Sequence, residues 1–199
     1  SLCLVGSEMC IRDRFLNMLL NSLLVKKVDK DKKIVEVQID RTLRSDVIVS
    51  SRCHFNFPTA IKVPPNLNDG TPFPTTYWLT CPMYNKKIGS LESEGLIAQL
   101  DNEILINPKL KTAWSERQAS YQQERDDSLD QSNQHVPTGG VGGATKSIKC
   151  LHSHTADEIS TGKNPVGKIV LESIGLYNCE KPCIDENNFQ INPEWKIEW

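Results

Sequence analysis

Asp69-Gly-Thr-Pro-Phe-Pro-Thr-Thr-Tyr-Trp-Leu-Thr-Cys-Pro82 is the stretch whose reading decides the fold. Asp69-Gly70 is turn chemistry, because glycine takes a positive φ at no steric cost. Phe73–Thr80 is rich in aromatic and β-branched residues and reads as a strand. Pro72 and Pro74 belong at its start or edge, since proline gives no N–H to a ladder. Cys81-Pro82 ends it. Pro82 suits the first turn of a helix, where a missing N–H costs nothing. The stretch is therefore a junction between sheet and helices.

On its N-terminal side the pattern is β-like. Ser45–Arg52 and Pro58–Val63 read as strands, the first delivering Cys53 and His54 to its end, the second stopped by Pro64-Pro65. Short connections between three such segments favour antiparallel pairing. Ile34–Leu43 is read as a short helix, and the charged run Asp29–Lys33 before it as solvated. On the C-terminal side the pattern is helical. Ile88, Leu91, Gly95, Leu96 and Leu100 keep one helical spacing. Pro108–Arg125, Ser147–Ser160 and Asn164–Ile174 supply three more helices. Asp126–Thr138 is polar loop and Tyr177–Trp199 is irregular. These readings predict a single α+β domain over 30–184, with a small antiparallel sheet of about three strands packed with about four helices, and a tail over 185–199.

With 199 residues, 38% hydrophobic and 24% charged, the chain is an ordinary globular one. Its formal net charge of −2 gives no field toward nucleic acid or an anionic membrane. No apolar run reaches the roughly 18 residues a spanning helix needs. Neither nucleic acid nor membrane is expected as a partner. Cys3–Asp13 matches the translation of a common transposon-based sequencing adapter, so 1–14 is read as a non-native scar and set aside. The segment 15–29 is then an N-terminal piece of uncertain origin. Of seven cysteines, five remain once Cys3 and Cys10 are removed.

Four blocks together carry a family resemblance: Gly70–Pro82, Gly140-Val-Gly-Gly143, Lys149-Cys-Leu-His152 and Asn164-Pro-Val-Gly167. In order and spacing they resemble domain-of-unknown-function family 501, a bacterial and mainly actinobacterial family. Gln38, Arg41 and Arg44 resemble its N-terminal Gln-x-x-Arg-x-x-Arg. The resemblance covers about Lys30 to Cys183 and implies a cytoplasmic protein; it brings no mechanism. One departure is local. The family often has Cys-Pro-x-Gly after its first cysteine, where this chain has Cys53-His-Phe-Asn56.

The residues themselves suggest chemistry. Zinc takes thiolate and imidazole ligands tetrahedrally. Cys53 and Cys81 sit at strand ends, and Cys150 and His154 share a helix face at i,i+4, which turns His152 away. The expected metal set is Cys53, Cys81, Cys150 and His154, with Cys183 as substitute and zinc as the cofactor. No close Cys-x-x-Cys pair is present, and the competing reading is of buried, reduced, inert thiols. A second set is catalytic. Cys150 lies near a helix start beside Lys146 and Lys149, which favours the thiolate, with His152 or His154 as base and Asp157 as its orienter.

The glycine-rich run Gly139–Ser147 is a candidate anion cradle, because a glycine loop entering a helix offers backbone N–H groups. Gly140, Gly142, Gly143, Lys146 and Ser147 would form it, helped by Arg41 and Arg44. It is no P-loop, since Thr145 stands where glycine must precede Lys-Ser; a plain hinge or a lid is the alternative. Two function classes follow. One is a small enzyme using a metal or a thiolate on an anionic small molecule. The other is a non-catalytic binding or scaffold protein with structural cysteines or a structural metal.

Overall fold

The computed structural model describes residues 27–129, 136–175 and 178–197. The adapter-like segment 1–14 and most of 15–29 lie outside the described residues. The described chain is α+β. Helix α1 covers 27–39. Strands β1 (Ile48–Arg52), β2 (Pro58–Lys62) and β3 (Tyr77–Leu79) follow, then α2 (Pro82–Ser93), α3 (Leu96–Ile106), α4 (Pro108–Asp126), α5 (Leu151–Thr161) and α6 (Pro165–Ile174). A two-residue hairpin of β4 (Ile184–Asp185) and β5 (Gln190–Ile191) comes last.

The main sheet is antiparallel in the order β1-β2-β3. The central strand β2 is almost wholly buried, as a central strand should be. Its Pro58 sits at the first position, where no ladder donor is lost. β1 and β2 join through a tight turn, with the Asn56 N–H donating to the Cys53 carbonyl at 2.8 Å. Asn56 takes φ 63°, the left-handed conformation that asparagine tolerates better than most residues. That accounts for Cys53-His-Phe-Asn56 serving where a glycine turn was expected.

The opening stretch folds only partly as read. The strand is confined to Tyr77–Leu79, with Trp78 opposite Ile61 and Leu79 opposite Ala60. Pro72 and Pro74 keep the first half out of the ladder, apart from one Asn66–Pro72 bridge. Side chains alternate as the pleat demands. Tyr77 and Leu79 join the helical core with Ile88, Leu151 and Val170. Trp78 and Phe73 join Val35, Ile61 and Val63 on the other side.

Helix boundaries differ from those expected, among them the start of α5, at Leu151 rather than Ser147. Asp29–Lys33 is largely exposed, as expected, but it belongs to α1, whose buried face comes from Ile34, Val35 and Gln38. The spacing from Ile88 to Leu100 is two helices rather than one. Gly95 sits at φ 88°, and this left-handed residue breaks the helix and redirects α3. Six α-helices are therefore found among the described residues.

α5 crosses the sheet and packs closely against α6. Asn164 caps α6 by accepting from the Gly167 N–H at 2.9 Å. Gly167 lies against the backbone of α5, where a Cβ would strike the His154 carbonyl oxygen and crowd Glu158 Cβ at 2.7 Å. Gly167→Ala should therefore push the two helices apart and cost about 1–3 kcal/mol, the range for overpacking. Urea denaturation checks this; a neutral substitution would contradict the close approach.

Candidate metal centre

Three side chains from two helices converge near the N-terminus of α5. Cys150 occupies the N-cap position of α5 with extended backbone, φ −156° and ψ 118°. His152 lies in the first turn. Glu92 comes from the last turn of α2. His152 Nδ1 is 3.8 Å from Cys150 Sγ and 3.3 Å from Glu92 Oε1. All three donor atoms lie within 4.8 Å of one another, and no other group of three or more His, Cys, Asp or Glu does so among the described residues. The Leu151 N–H donates to Glu92 Oε1 at 2.6 Å, and His152 Nε2–H donates to the Asn85 carbonyl at 3.0 Å. That last bond leaves Nδ1 as the nitrogen facing the other two groups. Glu92, Cys150 and His152 are all half-buried.

The electrostatics follow from this geometry. Burial would raise the Cys150 thiol, but hydrogen bonds from His152 and from the N–H and hydroxyl of Ser153 outweigh it, so its pKa falls. Burial would likewise lower His152. Its contacts with Cys150 and the Asn85 carbonyl, and the charge of Glu92, win instead and push it up to about 9. Cys150 and His152 open onto a groove of about 690 Å³. Trp78, Trp195, Arg41 and Lys86 are among the residues that line it.

The sequence profile of the DUF501 family, described as a protein of unknown function, matches residues 49–172. The chain belongs to the DUF501 family. No curated protein and no solved structure matches it. The DUF501 match takes in Cys53, Cys81, Glu92, Cys150 and His152 and ends before Cys179 and Cys183.

The structure distributes the sequence-derived site residues over three places. Cys150 and His152 meet at the centre. Cys53, Cys81 and Cys183 line a separate cavity with Cys179. They are not gathered with Cys150 and His154 into one ligand set. The i,i+4 argument for Cys150 and His154 does not apply because α5 begins at Leu151, which leaves Cys150 outside the helix and brings His152 toward it. His154 is fully buried and donates from Nδ1 to Asn164 Oδ1 at 3.0 Å; burial, the largest influence, lowers its pKa. Asp157 is also fully buried. It accepts from Arg117 Nε at 2.8 Å and Nη2 at 2.7 Å, and from Asn164 Nδ2 at 2.8 Å. It touches His154 only through Asn164 and does not orient His152.

The glycine run is fastened rather than open. Gly140 N–H donates to the Ala144 carbonyl, Gly143 N–H to the Gly140 carbonyl, and Val141 N–H to Gln118 Oε1 at 2.7 Å. Buried Arg125 donates to the Gly139 and Pro137 carbonyls. These N–H groups are occupied by the protein, so they offer an anion no cradle as they stand. Gly142 borders the centre, since a Cβ there would lie 3.9 Å from Cys150 Cβ. Lys146 and Ser147 are exposed. Arg44 pairs with Asp69 and Thr71, leaving Arg41 as the arginine of that pair that reaches the groove.

Glu92 was absent from the sequence reading. It lies far from Cys150 in the chain and belongs to no local motif. No spacing in the sequence points to it; its nearness to His152, like that of the Asn85 carbonyl, arises only from the packing of α2 against α5.

Arg117 is 3% exposed and is shared between buried Asp157 and partly exposed Glu124, the latter at 2.8 Å from Nη1. Asp157→Ala should cost about 3 kcal/mol, the low end for breaking a buried pair, because Glu124 still meets the Arg117 charge while Arg117 Nε and Asn164 Nδ2 lose their acceptor. A denaturation midpoint measures the loss. Glu92, Cys150 and His152 should still react as in the unaltered chain below that midpoint, since Asp157 does not contact them.

Proposed function

We propose that the chain is a small metal-dependent enzyme acting on an anionic small molecule, with a zinc-type ion held by Glu92, Cys150 and His152. The observation that carries this is the spacing of the three donors. With metal bonds of about 2.0–2.3 Å, tetrahedral ligands stand about 3.3–3.6 Å apart. The separations of 3.3 Å and 3.8 Å at His152 Nδ1 are close to that. Ligand chemistry agrees, since carboxylate, thiolate and imidazole are all zinc donors. The Asn85 carbonyl holds the far nitrogen of His152, as an outer partner does for a ligating histidine.

Three protein ligands leave a fourth position, the arrangement of catalytic rather than structural zinc. An ion there would lower the pKa of bound water or polarise a carbonyl or phosphoryl oxygen. Arg41 and Lys86 border the same groove and supply charge for an anionic substrate. A second reading has a specific observation behind it. The lowered pKa of Cys150 and the His152 contact also suit a metal-free thiolate nucleophile.

Elemental analysis of the purified chain separates them. The metal reading expects stoichiometric zinc, retained in Cys53→Ser. Glu92→Gln and His152→Ala should each weaken zinc affinity by more than the roughly 10–100-fold that loss of an outer partner costs. Metal-free protein with fast, His152-dependent alkylation of Cys150 at neutral pH would replace the metal with a thiolate. Metal-free protein whose Cys150 alkylates like an ordinary thiol would leave only the binding or scaffold role.

A further inference from the structure

The cavity beside the metal centre has no role in the reading above. It measures about 380 Å³, inside the range of roughly 300–1,000 Å³ usual for small-molecule sites. Its walls are mainly apolar and sulfur-bearing: Phe57, Met83, Tyr84 and four cysteines, Cys53, Cys81, Cys179 and Cys183. These thiols do not gather into a ligand set, because no three of them come within 4.8 Å. Burial pushes Cys81 up to about 12 and Cys183 up to about 11, so both are neutral, polarisable surface.

The cavity adjoins the groove of the metal centre. Gln38, Pro82 and Trp195 line both. Two of these carry unused hydrogen-bonding atoms at the junction. Gln38 is 8% exposed and donates its amide to the Pro58 carbonyl at 3.0 Å and to Cys183 Sγ at 3.6 Å. Its Oε1 meets no partner, and neither does Trp195 Nε1. Inside the cavity, Thr59 Oγ1 is equally without one. All three atoms are enclosed by the protein, so a molecule in the cavity would meet its apolar walls rather than these atoms.

We infer that the substrate is an amphipathic anion, its charged reacting end between Arg41, Lys86 and the Glu92/Cys150/His152 centre and its apolar end in the thiol-lined cavity. This deepens the metal-centre reading and rests on its groove. A small, fully polar anion would leave the cavity empty. A cationic amphiphile would meet Arg41 and Lys86 with like charge.

The test uses the full chain, intrinsic tryptophan fluorescence and three probes: sodium butyrate, sodium octanoate and octyltrimethylammonium. Each methylene buried should tighten binding about fourfold, so octanoate should bind about 100-fold or more tightly than butyrate. Cys53→Phe, which fills the cavity, should bring octanoate down to the level of butyrate and leave zinc content unchanged. Cys179→Phe serves the same purpose should the first variant not fold. Arg41→Ala, an exposed change, should weaken both carboxylates alike. Equal affinity for butyrate and octanoate, equal affinity for octyltrimethylammonium, or a filled cavity without effect would each overturn the inference. A zinc-loaded chain indifferent to chain length removes this inference alone. A zinc-free chain that binds octanoate through Arg41 removes the metal reading alone.

Discussion

The Arg117–Asp157 ion pair is the constraint on which the helical half depends. Both side chains are buried, and charges out of water must be fully partnered. Asp157 meets that need with Arg117 from α4 and Asn164 from the start of α6. Asn164 in turn accepts from His154 and from the Gly167 N–H that opens α6. Three helices are thereby held in one orientation by groups that tolerate little displacement. Removing one member leaves the others buried without their partner, which is why the set acts as a unit. His154 belongs to this network and not to the Glu92/Cys150/His152 cluster.

That fixed orientation positions the Glu92/Cys150/His152 cluster. α5 enters with Cys150 still extended, so the thiol and His152 emerge together at its N-terminal end. α2 runs past with Asn85 and Glu92, one carbonyl and one carboxylate, on the side facing them. The junction at Cys81-Pro82 starts α2 and so sets where Glu92 falls. Its own thiol looks into the neighbouring cavity instead. The stretch Asp69–Pro82 thus serves the centre indirectly, through the helix it launches. The glycine run supports α5 in the same indirect way, tied down by Gln118 and Arg125.

Much of the fold was legible in the chain. The three strands, the proline-started helices α2, α4 and α6, and the Asn164 cap are local features, governed by turn chemistry, missing proline N–H groups and apolar spacing. The errors have local causes too. Pro72 and Pro74 shortened β3, and Gly95 split one apparent helix into two. Both residues were visible, but their effect depended on whether the surrounding packing would accept them.

The sequence by itself determined the α+β class, the family, and the presence of Cys150 and His152 in a short block at a helix start. Only the tertiary structure decided which partners they have. Glu92 lies about sixty positions from His152, and no periodicity links the two. His152 rather than His154 faces Cys150 because the helix begins one residue after the cysteine, and that boundary is set by contacts made across the fold. Burial decided the rest: it placed Asp157 and His154 in the framework and gathered the remaining described thiols into one cavity. Proximity between distant segments and exclusion of water are properties of the packed chain, and no single stretch encodes them.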